Sequence, residues 1–479
     1  MASIHLRILS DTEIQGIHGA SLAILRDTGI LVHHEEVLRI LGENGAKVDR
    51  DRKIARLPEK LVMESVARAG KKYILHGRNP ARVARFGYGD LNQMSSPGQY
   101  GWIDSETHAN RKATLEDARA AIKLGDALPN LTIVGSMGQP EEIGVKYREV
   151  VLTAELLKGS VKPTRTWVYN GATAHYVLEM YRAIAGGEAA LRRKPMTETF
   201  LEPISPLQMP RDGLEAVIEY VRCGQPVSVG PMSMTSGTAP GTLAGTLAQE
   251  NAEILAGVVI TQALGPGTPM MYGGIPHIMD PRTSICSFGS PEQGLMGAAM
   301  VQMGRFYGFP VYINVGLSDA KTLDVQAGIE KGSTLMLGAL AGADTFGHAG
   351  ICGTDHGASL EWLAADDETM AYVKRIVRGF EVTPEKLAVD VVNSVGPAGN
   401  YLAEDHTVTH YRQELWMPDA TWTREAYATW QAGGRLTMED RLRARVKDIL
   451  ASHKVEPLDD ALARELDRIA ASAKRELGD

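Results

Sequence analysis

Cysteine is scarce in this sequence: in 479 residues there are three, Cys223, Cys286 and Cys352, which lie far apart without metal-type spacing. This pattern excludes a disulfide scaffold and suits the reducing cytoplasm. Long hydrophobic runs are missing as well. The most apolar stretch, residues 254–264, is too short to cross a bilayer, and residues 1–13 lack the apolar core of a signal peptide. The sequence therefore predicts a cytoplasmic protein without a membrane-spanning segment.

Clustered positive charge is also absent. The chain has 50 Lys and Arg against 58 Asp and Glu, a net charge of −8, and no run of five like charges. Nucleic-acid binding requires a basic face that neutralises phosphates, so this composition argues against a nucleic-acid partner. No predicted strand is followed by GxGxxG or by a P-loop motif, which removes support for a nucleotide-binding fold.

Short β-type runs alternate with longer amphipathic stretches through the middle of the chain. The alternation occurs eight times over about 290 residues, which is typical of an α/β fold, the TIM (β/α)8 barrel. A doubly wound open sheet is the alternative, and it predicts fewer strands and a Gly-rich loop after the first. The predicted strands are QMSSP near residue 93, LTIVGS at 131, TRTWVYN at 164, TETFLEP at 197, PVSVGP at 226, PMMYGG at 269, PVYINV at 310 and DTFGHAG at 344. The predicted helices cover residues 115–127, 147–158, 172–186, 211–224, 243–264, 291–308, 324–341 and 359–380.

The segments on either side of this alternation have other patterns. Helical spacing over residues 9–45 predicts two helices, and strand-like alternation over residues 71–89, around a Gly-Arg-Asn-Pro turn, predicts a hairpin. Residues 437–476 are interpreted as a peripheral helix pair or, alternatively, as a subunit contact. The predicted organisation is an N-terminal extension of helices and hairpin at 1–90, the barrel at 91–383, and a C-terminal cap with helices at 384–479.

Reacting groups of such barrels come from the carboxyl ends of the strands and the loops that follow. The chain has only 7 Phe, 6 Trp and 15 Tyr, yet several of them fall at predicted strand ends. Aromatic faces suit a quaternary ammonium, which has no N–H to donate and is held by ring quadrupoles, although each ring could instead fill the core. The candidate substrate-binding residues are Tyr100, Trp102, Trp167, Tyr169, Phe200, Glu202, Tyr272, His277, Asn314 and His348.

Two members of this set, Glu202 and His348, are also the catalytic candidates. Glu202 follows an apolar strand and could offset the charge of a cationic ligand, or it could cap the next helix. His348 lies among glycines that let a ligand approach closely, or it is a structural histidine.

Two other kinds of site, a Schiff-base lysine and a zinc site, would use residues outside this set. Lys321 follows the seventh predicted strand and could form a Schiff base, or it could be a solvated lysine. His348, Cys352 and His356 are spaced four and four, which would suggest zinc if they shared a helix face. The glycines at 347, 350, 353 and 357 argue against a helix there, so no metal site is predicted.

Several segments together resemble the trimethylamine methyltransferase family: TRTWVYN, ENAEILAGVVITQALGPGTPMMYGG, GSPEQGLMGAAMVQMGRFYGFPVYINVGLSDAKTLDVQAGIEKG, FGHAGI and HYRQELWMP. The similarity runs from about residue 5 to beyond 430, with residues 290–332 as its most specific part. It implies a TIM barrel that transfers a methyl group from a methylated amine to a separate corrinoid protein. The branch that uses trimethylamine carries pyrrolysine near the segment SDAKTLDVQAGIEKG, where this chain has only standard residues, with Gly328, Ile329 and Glu330 at that place.

The resemblance is therefore to the non-pyrrolysine branch, whose members demethylate quaternary amines such as glycine betaine, proline betaine or carnitine. A quaternary ammonium carries a neutral amine leaving group, so the cob(I)alamin of the partner can take the methyl group in line without a general acid. The corrinoid signature Asp-x-His-x-x-Gly is absent, since Asp355 and His356 are adjacent. We therefore expect cobalamin on the partner corrinoid protein rather than on this chain, and we expect this chain to be a homo-oligomer.

The predicted function is methyl transfer from a betaine-type quaternary amine to the cob(I)alamin of a corrinoid protein. The alternatives are a Schiff-base TIM-barrel lyase or aldolase using Lys321, and a non-catalytic quaternary-amine binding protein that keeps the aromatic cage. A substrate carboxylate could be held by a backbone N–H group, Asn314, His348 or Arg165, and the sequence does not choose among them.

Overall fold

A parallel β-barrel forms the centre of the protein. The structure is a computed structural model, and it describes residues 6–104 and 106–478. The sheet has the order β3-β2-β1-β8-β7-β6-β5-β4, so the first strand pairs with the last and β3 and β4 stand at the two ends of the hydrogen-bonded order. The strands are β1 Asn92–Ser95, β2 Leu131–Gly135, β3 Thr164–Arg165, β4 Thr199–Leu201, β5 Val227–Val229, β6 Met270–Gly274, β7 Val311–Ile313 and β8 Thr345–Ala349.

One long helix follows each strand and packs outside the barrel. The pairing of β1 with β8 excludes the doubly wound open sheet, and the predicted TIM barrel is confirmed. Six of the eight helices begin at a Ser, Thr, Asn or Asp whose side chain accepts a backbone N–H of the first turn. The helices are α1 Leu115–Ala127, α2 Arg148–Gly159, α3 Gly171–Ala185, α4 Arg211–Arg222, α5 Leu243–Leu264, α6 Pro291–Phe306, α7 Val325–Ala341 and α8 Leu360–Val377.

The N-terminal extension adds helices, a small sheet and a hairpin. Its helices are Asp11–Ala23, Glu35–Glu43 and Glu59–Arg68, with a π-helical turn at Ile24–Thr28, so the two predicted opening helices are confirmed. Three short strands in this extension were not predicted from the sequence: Ile30–Val32, Lys47–Asp49 and Ile54–Arg56. They form a four-stranded sheet with Gln208–Met209, a strand of the β4–α4 loop.

The predicted hairpin is confirmed, and it closes the end of the barrel where the strands begin. Its strands, Tyr73–His76 and Val83–Phe86, are antiparallel. The Gly87 N–H donates to Asp344 at the start of β8, and the His76 N–H donates to the carbonyl of Pro195 ahead of β4. The apolar side chains of the hairpin pack against residues of the barrel strands, namely Met94, Ile133, Met271 and Tyr312.

Two small sheets shape the opposite end, which we call the mouth. One contains Gly101–Ile103, Asn110–Lys112, Ile351–Cys352 and Gly357–Ala358, from the loops after β1 and β8. The other contains Met234–Thr235, His277–Met279 and Cys286–Ser287, from the loops after β5 and β6. These sheets fix long loops at the carboxyl ends of the strands.

The chain beyond the barrel ends in two helices that pack on its outer surface. Met438–Ser452 packs on α1 and α8, and Asp460–Leu477 packs on α2 and α3, so the predicted helix pair is confirmed. The division into segments at 1–90, 91–383 and 384–479 stays a prediction. Among the described residues, no helix is long and apolar enough to span a membrane. The shorter helices are Glu188–Arg193 between α3 and β4, and then Pro384–Leu387, Val389–Val395, Asp405–Glu414 and Tyr427–Ala432.

Candidate functional site

A cavity of about 680 Å³ opens at the mouth of the barrel. Loops after all eight strands contribute to its wall, as expected for a functional site of this fold. The wall contains Gly98, Gln99, Tyr100 and Gly101 after β1, Gln139 after β2, Trp167 and Tyr169 after β3, Glu202 after β4, Met232 after β5, Phe288 after β6, Asn314 after β7, and His348, Asp355 and His356 from β8 and its loop, with Asn110, Arg111 and Lys112 at the rim.

Aromatic rings on one side of the cavity are held by hydrogen bonds. The Trp167 indole N–H donates to the carbonyl of Gly98 at 3.3 Å, and the Gln139 amide donates to the Tyr169 hydroxyl at 2.8 Å. Gln139 is itself buried and accepts from the guanidinium of Arg148 at 3.3 Å. These contacts hold the rings in place before any ligand enters, so the entropic cost of ordering them on binding is lower.

Glu202 places a carboxyl group on the wall of the cavity. Its carboxylate has no hydrogen bond or ion pair with any residue of 6–104 or 106–478. The side chain is exposed to the cavity, but the mouth loops enclose it, and this burial raises its pKa from 4.5 to about 7. A carboxyl without a protein partner in a partly desolvated, aromatic-walled cavity is suited to a cationic ligand.

His348 lies at a β-bulge at the end of β8. The register with β1 shifts between Phe346 and Ala349, and His348 has a φ of +66°, a conformation that strains a residue with a side chain. Its ring contacts the edge of Trp167 at a centroid distance of 5.7 Å. Burial, with a smaller contribution from Arg165, lowers its pKa from 6.5 to about 3, so the imidazole is neutral at physiological pH.

Gly347, the residue before His348 in β8, lies directly against Tyr312. A Cβ on Gly347 would lie 2.0 Å from the Tyr312 hydroxyl, so only glycine fits there. Neither ring nitrogen of His348 has a hydrogen-bond partner within the part of the chain that the structure describes. The ring is thus held by packing, and its hydrogen-bonding capacity remains available to a ligand.

Asn314 gives the cavity an unpaired amide. The residue is only 2% exposed, and its Oδ1 is buried without a hydrogen-bond partner. Its backbone carbonyl accepts from Gln293 at 2.6 Å, and Gln293 also contacts His277 at 3.1 Å. A buried polar atom left unpaired costs about 1–3 kcal/mol, which only a ligand with a hydrogen-bond donor would recover.

Six of the ten residues predicted from the sequence lie together on the cavity wall, and four do not. The six are Tyr100, Trp167, Tyr169, Glu202, Asn314 and His348. Tyr272 faces outward from β6 and donates to Asn251 of α5 at 2.8 Å, because strand side chains alternate and Met271 takes the inward position.

The other three lie behind the wall. Trp102 packs into the core beneath its small sheet, with its ring next to Gly138. Phe200 packs on Tyr312 beneath the cavity at a centroid distance of 5.5 Å. His277 is fully buried behind Phe288, 4.5 Å from its ring, and burial lowers its pKa to about 4.

The wall also contains residues that were not among the predicted substrate-binding residues, and Gln139, Met232 and Phe288 are three of them. Gln139 and Met232 follow β2 and β5 within a few residues, so the rule that selected the other candidates would have found them. Phe288 lies far beyond the end of β6, and only the small sheet of that loop returns it to the mouth.

Lys321 and Cys352 are not among the wall residues of the cavity, whereas His348 and His356 are. The exposed Lys321 ammonium donates to the carbonyl of Asp319 at 2.6 Å, and Lys321 is not a wall residue. The segment around Cys352 forms short strands rather than a helix. In residues 6–104 and 106–478, no three His, Cys, Asp or Glu side chains come together as a metal site would require.

A buried ion pair lies in the barrel beneath the cavity. Arg165 of β3 donates to Glu198, next to β4, at 2.6 Å, and both side chains are almost fully buried. Glu198 also accepts from the hydroxyls of Tyr73 in the hairpin at 2.6 Å and Ser228 of β5 at 3.2 Å. The Arg165 guanidinium packs over the Phe200 ring at 5.1 Å. Arg165 therefore connects β3 and β4 rather than lining the cavity.

Comparison with known proteins identifies the family. A sequence model described as trimethylamine methyltransferase (MTTB) matches residues 2–478. The glycine betaine methyltransferase of Desulfitobacterium hafniense (strain Y51) is 33% identical over 476 residues, covering 98% of this chain and 98% of that protein. The trimethylamine methyltransferase MttB of Desulfitobacterium hafniense (strain DSM 10664 / DCB-2) is 32% identical over 469 residues, covering 98% and 94%.

Among solved structures, the monomethylamine methyltransferase (MtmB) of Methanosarcina barkeri matches 91% of this chain and 92% of its own at 11% identity, with a TM-score of 0.47. The full-length family match and the two sequence relatives are sufficient for assignment. The chain belongs to the trimethylamine methyltransferase (MTTB) family.

Proposed function

We propose that this protein is a methyltransferase that takes a methyl group from a quaternary amine of betaine type and delivers it to the cob(I)alamin of a separate corrinoid protein. The observation that carries the proposal is the unpaired Glu202 carboxylate in a cavity walled by Trp167, Tyr169 and Phe288. A permanent cation without N–H groups is the ligand whose chemistry matches this combination of an unpaired carboxyl group and several ring faces. The family assignment supplies the reaction class.

The reaction requires the protein mainly to position the substrate. The bond between nitrogen and the methyl carbon breaks, its electron pair stays on nitrogen, and the amine leaves neutral without needing a proton. Cob(I)alamin on the corrinoid protein would supply the electron pair that forms the new bond to the methyl carbon. The residues of this chain bind the cation, direct one methyl group toward the mouth and exclude water, and positioning of this kind can supply a large part of the rate.

The polar wall residues can hold the other end of the substrate. Asn314 and His348 both have hydrogen-bonding capacity that no described residue uses, and both lie on the wall with Glu202. We propose that a carboxylate on the substrate accepts hydrogen bonds from the Nδ2 amide of Asn314 and from the ring N–H of neutral His348. Arg165 is a poor candidate for this contact because Glu198 already neutralises it.

The rim of the mouth is suited to a protein partner that docks over the opening of the cavity. Exposed apolar side chains project from five different loops at this end: Tyr100, Val145, Tyr169, Ile204 and Ile285. A ring of apolar residues around a cavity is typical of a transient interface. We propose this rim as the surface that contacts the corrinoid protein.

We also propose that the protein works in the cytoplasm, because its three cysteines are free.

The direct test is methyl transfer to reduced cobalamin. Purified enzyme, cob(I)alamin and one amine from a panel of glycine betaine, proline betaine, carnitine, γ-butyrobetaine, choline and trimethylamine are mixed, and methylcobalamin formation is followed by absorbance. We expect transfer from at least one quaternary amine. Tight betaine binding by calorimetry without any transfer would instead select a binding protein, and failure of both would contradict the proposal.

Removing a cage ring is expected to weaken substrate binding. Trp167→Ala and Tyr100→Ala should each raise the KM for the quaternary amine about 2- to 30-fold, because a cation over a ring face gains ~0.5–2 kcal/mol. Trp430→Ala is the control, since Trp430 lies in the helix Tyr427–Ala432 outside the cavity wall. Equal effects from all three variants would place the cation elsewhere.

Affinity for a permanent cation is expected to rise with pH. Burial raises the pKa of Glu202 to about 7, and the cation binds the ionised form, so below that pKa a proton must leave on binding. The dissociation constant for tetramethylammonium should fall about tenfold per pH unit below the pKa and level off above it. Calorimetric titrations from about pH 6 to 8 measure this dependence. A Glu202→Gln variant with the same slope would assign the titration to another group.

A further inference from the structure

Asp319, in the loop after β7, joins three of the loops that form the mouth. Its Oδ1 accepts from the backbone N–H of Phe288 at 2.8 Å and from the hydroxyl of Thr354 at 3.1 Å. Its Oδ2 accepts from the hydroxyl of Ser287. Ser287 and Phe288 belong to the loop after β6, and Thr354 belongs to the loop after β8. One side chain therefore binds the loops of both neighbouring strands.

The backbone around Asp319 is itself held by helix α7. The Glu330 carboxylate of α7 accepts from the N–H of Asp319 at 2.8 Å and from the hydroxyl of Ser318 at 2.7 Å. The Ser318 carbonyl accepts from the N–H of Thr354 at 3.1 Å. Because both the backbone and the side chain of Asp319 are hydrogen-bonded, its carboxylate has a defined position relative to the barrel.

The loop that carries Phe288 is held on two sides. On the side of β5, the strands Cys286–Ser287 and His277–Met279 of this loop join Met234–Thr235 in a small sheet. On the side of β7, Asp319 accepts the N–H of Phe288, the residue that directly follows the sheet. Because this hydrogen bond is made by the backbone of Phe288 itself, it fixes the point from which the ring extends to the cavity wall.

The contacts of Asp319 also hold the loop after β8. Thr354 has a φ of +70°, a conformation that is unfavourable for a β-branched residue and persists only where the surroundings enforce it. Here the Thr354 hydroxyl donates to Asp319 and its N–H donates to Ser318. The next two residues, Asp355 and His356, lie on the cavity wall. Asp319 thus contacts two segments of the chain that supply wall residues.

We propose that Asp319 is a positioning residue of the substrate cage, which orients the Phe288 ring toward the substrate cation. The proposal rests on the proposed function, because it takes Phe288 as one of the ring faces that a quaternary ammonium contacts. Asp319 is not a wall residue, so it acts through Phe288. The orientation matters because a cation is attracted only over the face of a ring, within about 6 Å of its centroid.

Calorimetry with tetramethylammonium measures the coupling between Asp319 and Phe288. Asp319→Leu removes the acceptor of three hydrogen bonds, and it should weaken binding about 2- to 30-fold, because one ring face is misplaced. In a Phe288→Leu background, Asp319→Leu should have little further effect. Asp319→Asn should bind as the wild type does. The three donors are uncharged, so an amide oxygen can accept from Phe288 and Thr354, and the amide N–H can donate to Ser287.

Asp280→Leu is the matched control. Asp280 lies in the same loop as Phe288 and also accepts three hydrogen bonds, all from its own turn. The N–H groups of Arg282 and Thr283 donate to it at 2.9 Å, and the Thr283 hydroxyl donates at 3.0 Å. This variant should keep the wild-type affinity. A loss as large as that of Asp319→Leu would mean that the general stability of the loop sets the affinity, and it would overturn the proposal.

Fluorine NMR follows the ring of Phe288 without any ligand. The chain has 7 Phe, so labelling with 4-fluorophenylalanine gives one signal for each, and Phe288→Leu identifies the signal of Phe288. Asp319→Leu should shift or broaden this signal and leave the others in place. Asp319→Asn and Asp280→Leu should leave every signal unchanged.

Circular dichroism establishes that each variant is folded, and Asp319→Ser, which is too short to reach the same donors, replaces Asp319→Leu if that variant is not. An unchanged Phe288 signal in the folded variant would overturn the proposal. Equal losses of affinity from Asp319→Leu with and without Phe288 would overturn it as well. A wild-type protein that binds no quaternary cation would contradict the proposed function, and the Phe288 signal would then decide the role of Asp319 by itself.

Discussion

A Glu202→Gln variant is expected to lose on the order of 100-fold in kcat/KM for a quaternary amine. The substitution keeps the size of the side chain and removes its charge. A carboxylate about 4 Å from a cation contributes about 4 kcal/mol at an effective dielectric constant of 20, and water in the open cavity reduces this value. The loss should be largest in KM, because the carboxylate attracts the bound cation, whereas the departing amine is neutral.

Methylcobalamin formation at several amine concentrations measures both constants. Glu64→Gln is the matched control, because Glu64 lies on the helix Glu59–Arg68 far from the mouth and pairs only loosely with Lys60. A Glu202→Gln enzyme with wild-type KM and kcat would remove the carboxylate from substrate binding, and the proposed cage would then rest on the rings alone.

Breaking the buried ion pair is expected to have the largest effect on stability. Arg165→Met leaves the Glu198 carboxylate without its cation in the barrel interior, and Glu198→Leu does the same to Arg165 while also removing the acceptor of Tyr73 and Ser228. Losing one partner of a buried pair typically lowers the free energy of unfolding by about 3–5 kcal/mol. The double variant Arg165→Met/Glu198→Leu should recover much of this loss, because it leaves no uncompensated charge.

Urea unfolding of the two single variants and the double variant gives the interaction free energy as a double-mutant cycle. Arg211→Met is the control, since the exposed Arg211–Glu215 pair on α4 should contribute less than about 1 kcal/mol. Additive losses in the cycle would mean that Arg165 and Glu198 do not depend on each other for stability.

The barrel could be predicted because its signals are local. The ends of α1 and α5 match the predicted residues 115–127 and 243–264, since each helix begins just after a threonine cap and its apolar pattern stops near its end. The small N-terminal sheet could not be predicted, because strands of three residues show no period and one of them pairs with residues 208–209 from another part of the chain.

The candidate site could be predicted where a residue follows its strand directly. Trp167, Glu202 and Asn314 stand one or two residues beyond β3, β4 and β7, and all lie on the cavity wall. Tyr272 is within β6, where a shift of one residue exchanges the inner and outer faces. Phe288 depends on the path of a long loop, which tertiary contacts determine rather than local sequence.

The hairpin across the far end of the barrel leaves the mouth as the open end. Because Tyr73–His76 and Val83–Phe86 fill that end, the mouth is the route by which the amine reaches Glu202. With methyl transfer as proposed, the corrinoid protein covers this same opening. The amine therefore binds first and its demethylated product leaves last, so steady-state kinetics should follow a compulsory-order mechanism, with inhibition at high concentrations of the corrinoid protein that blocks product escape.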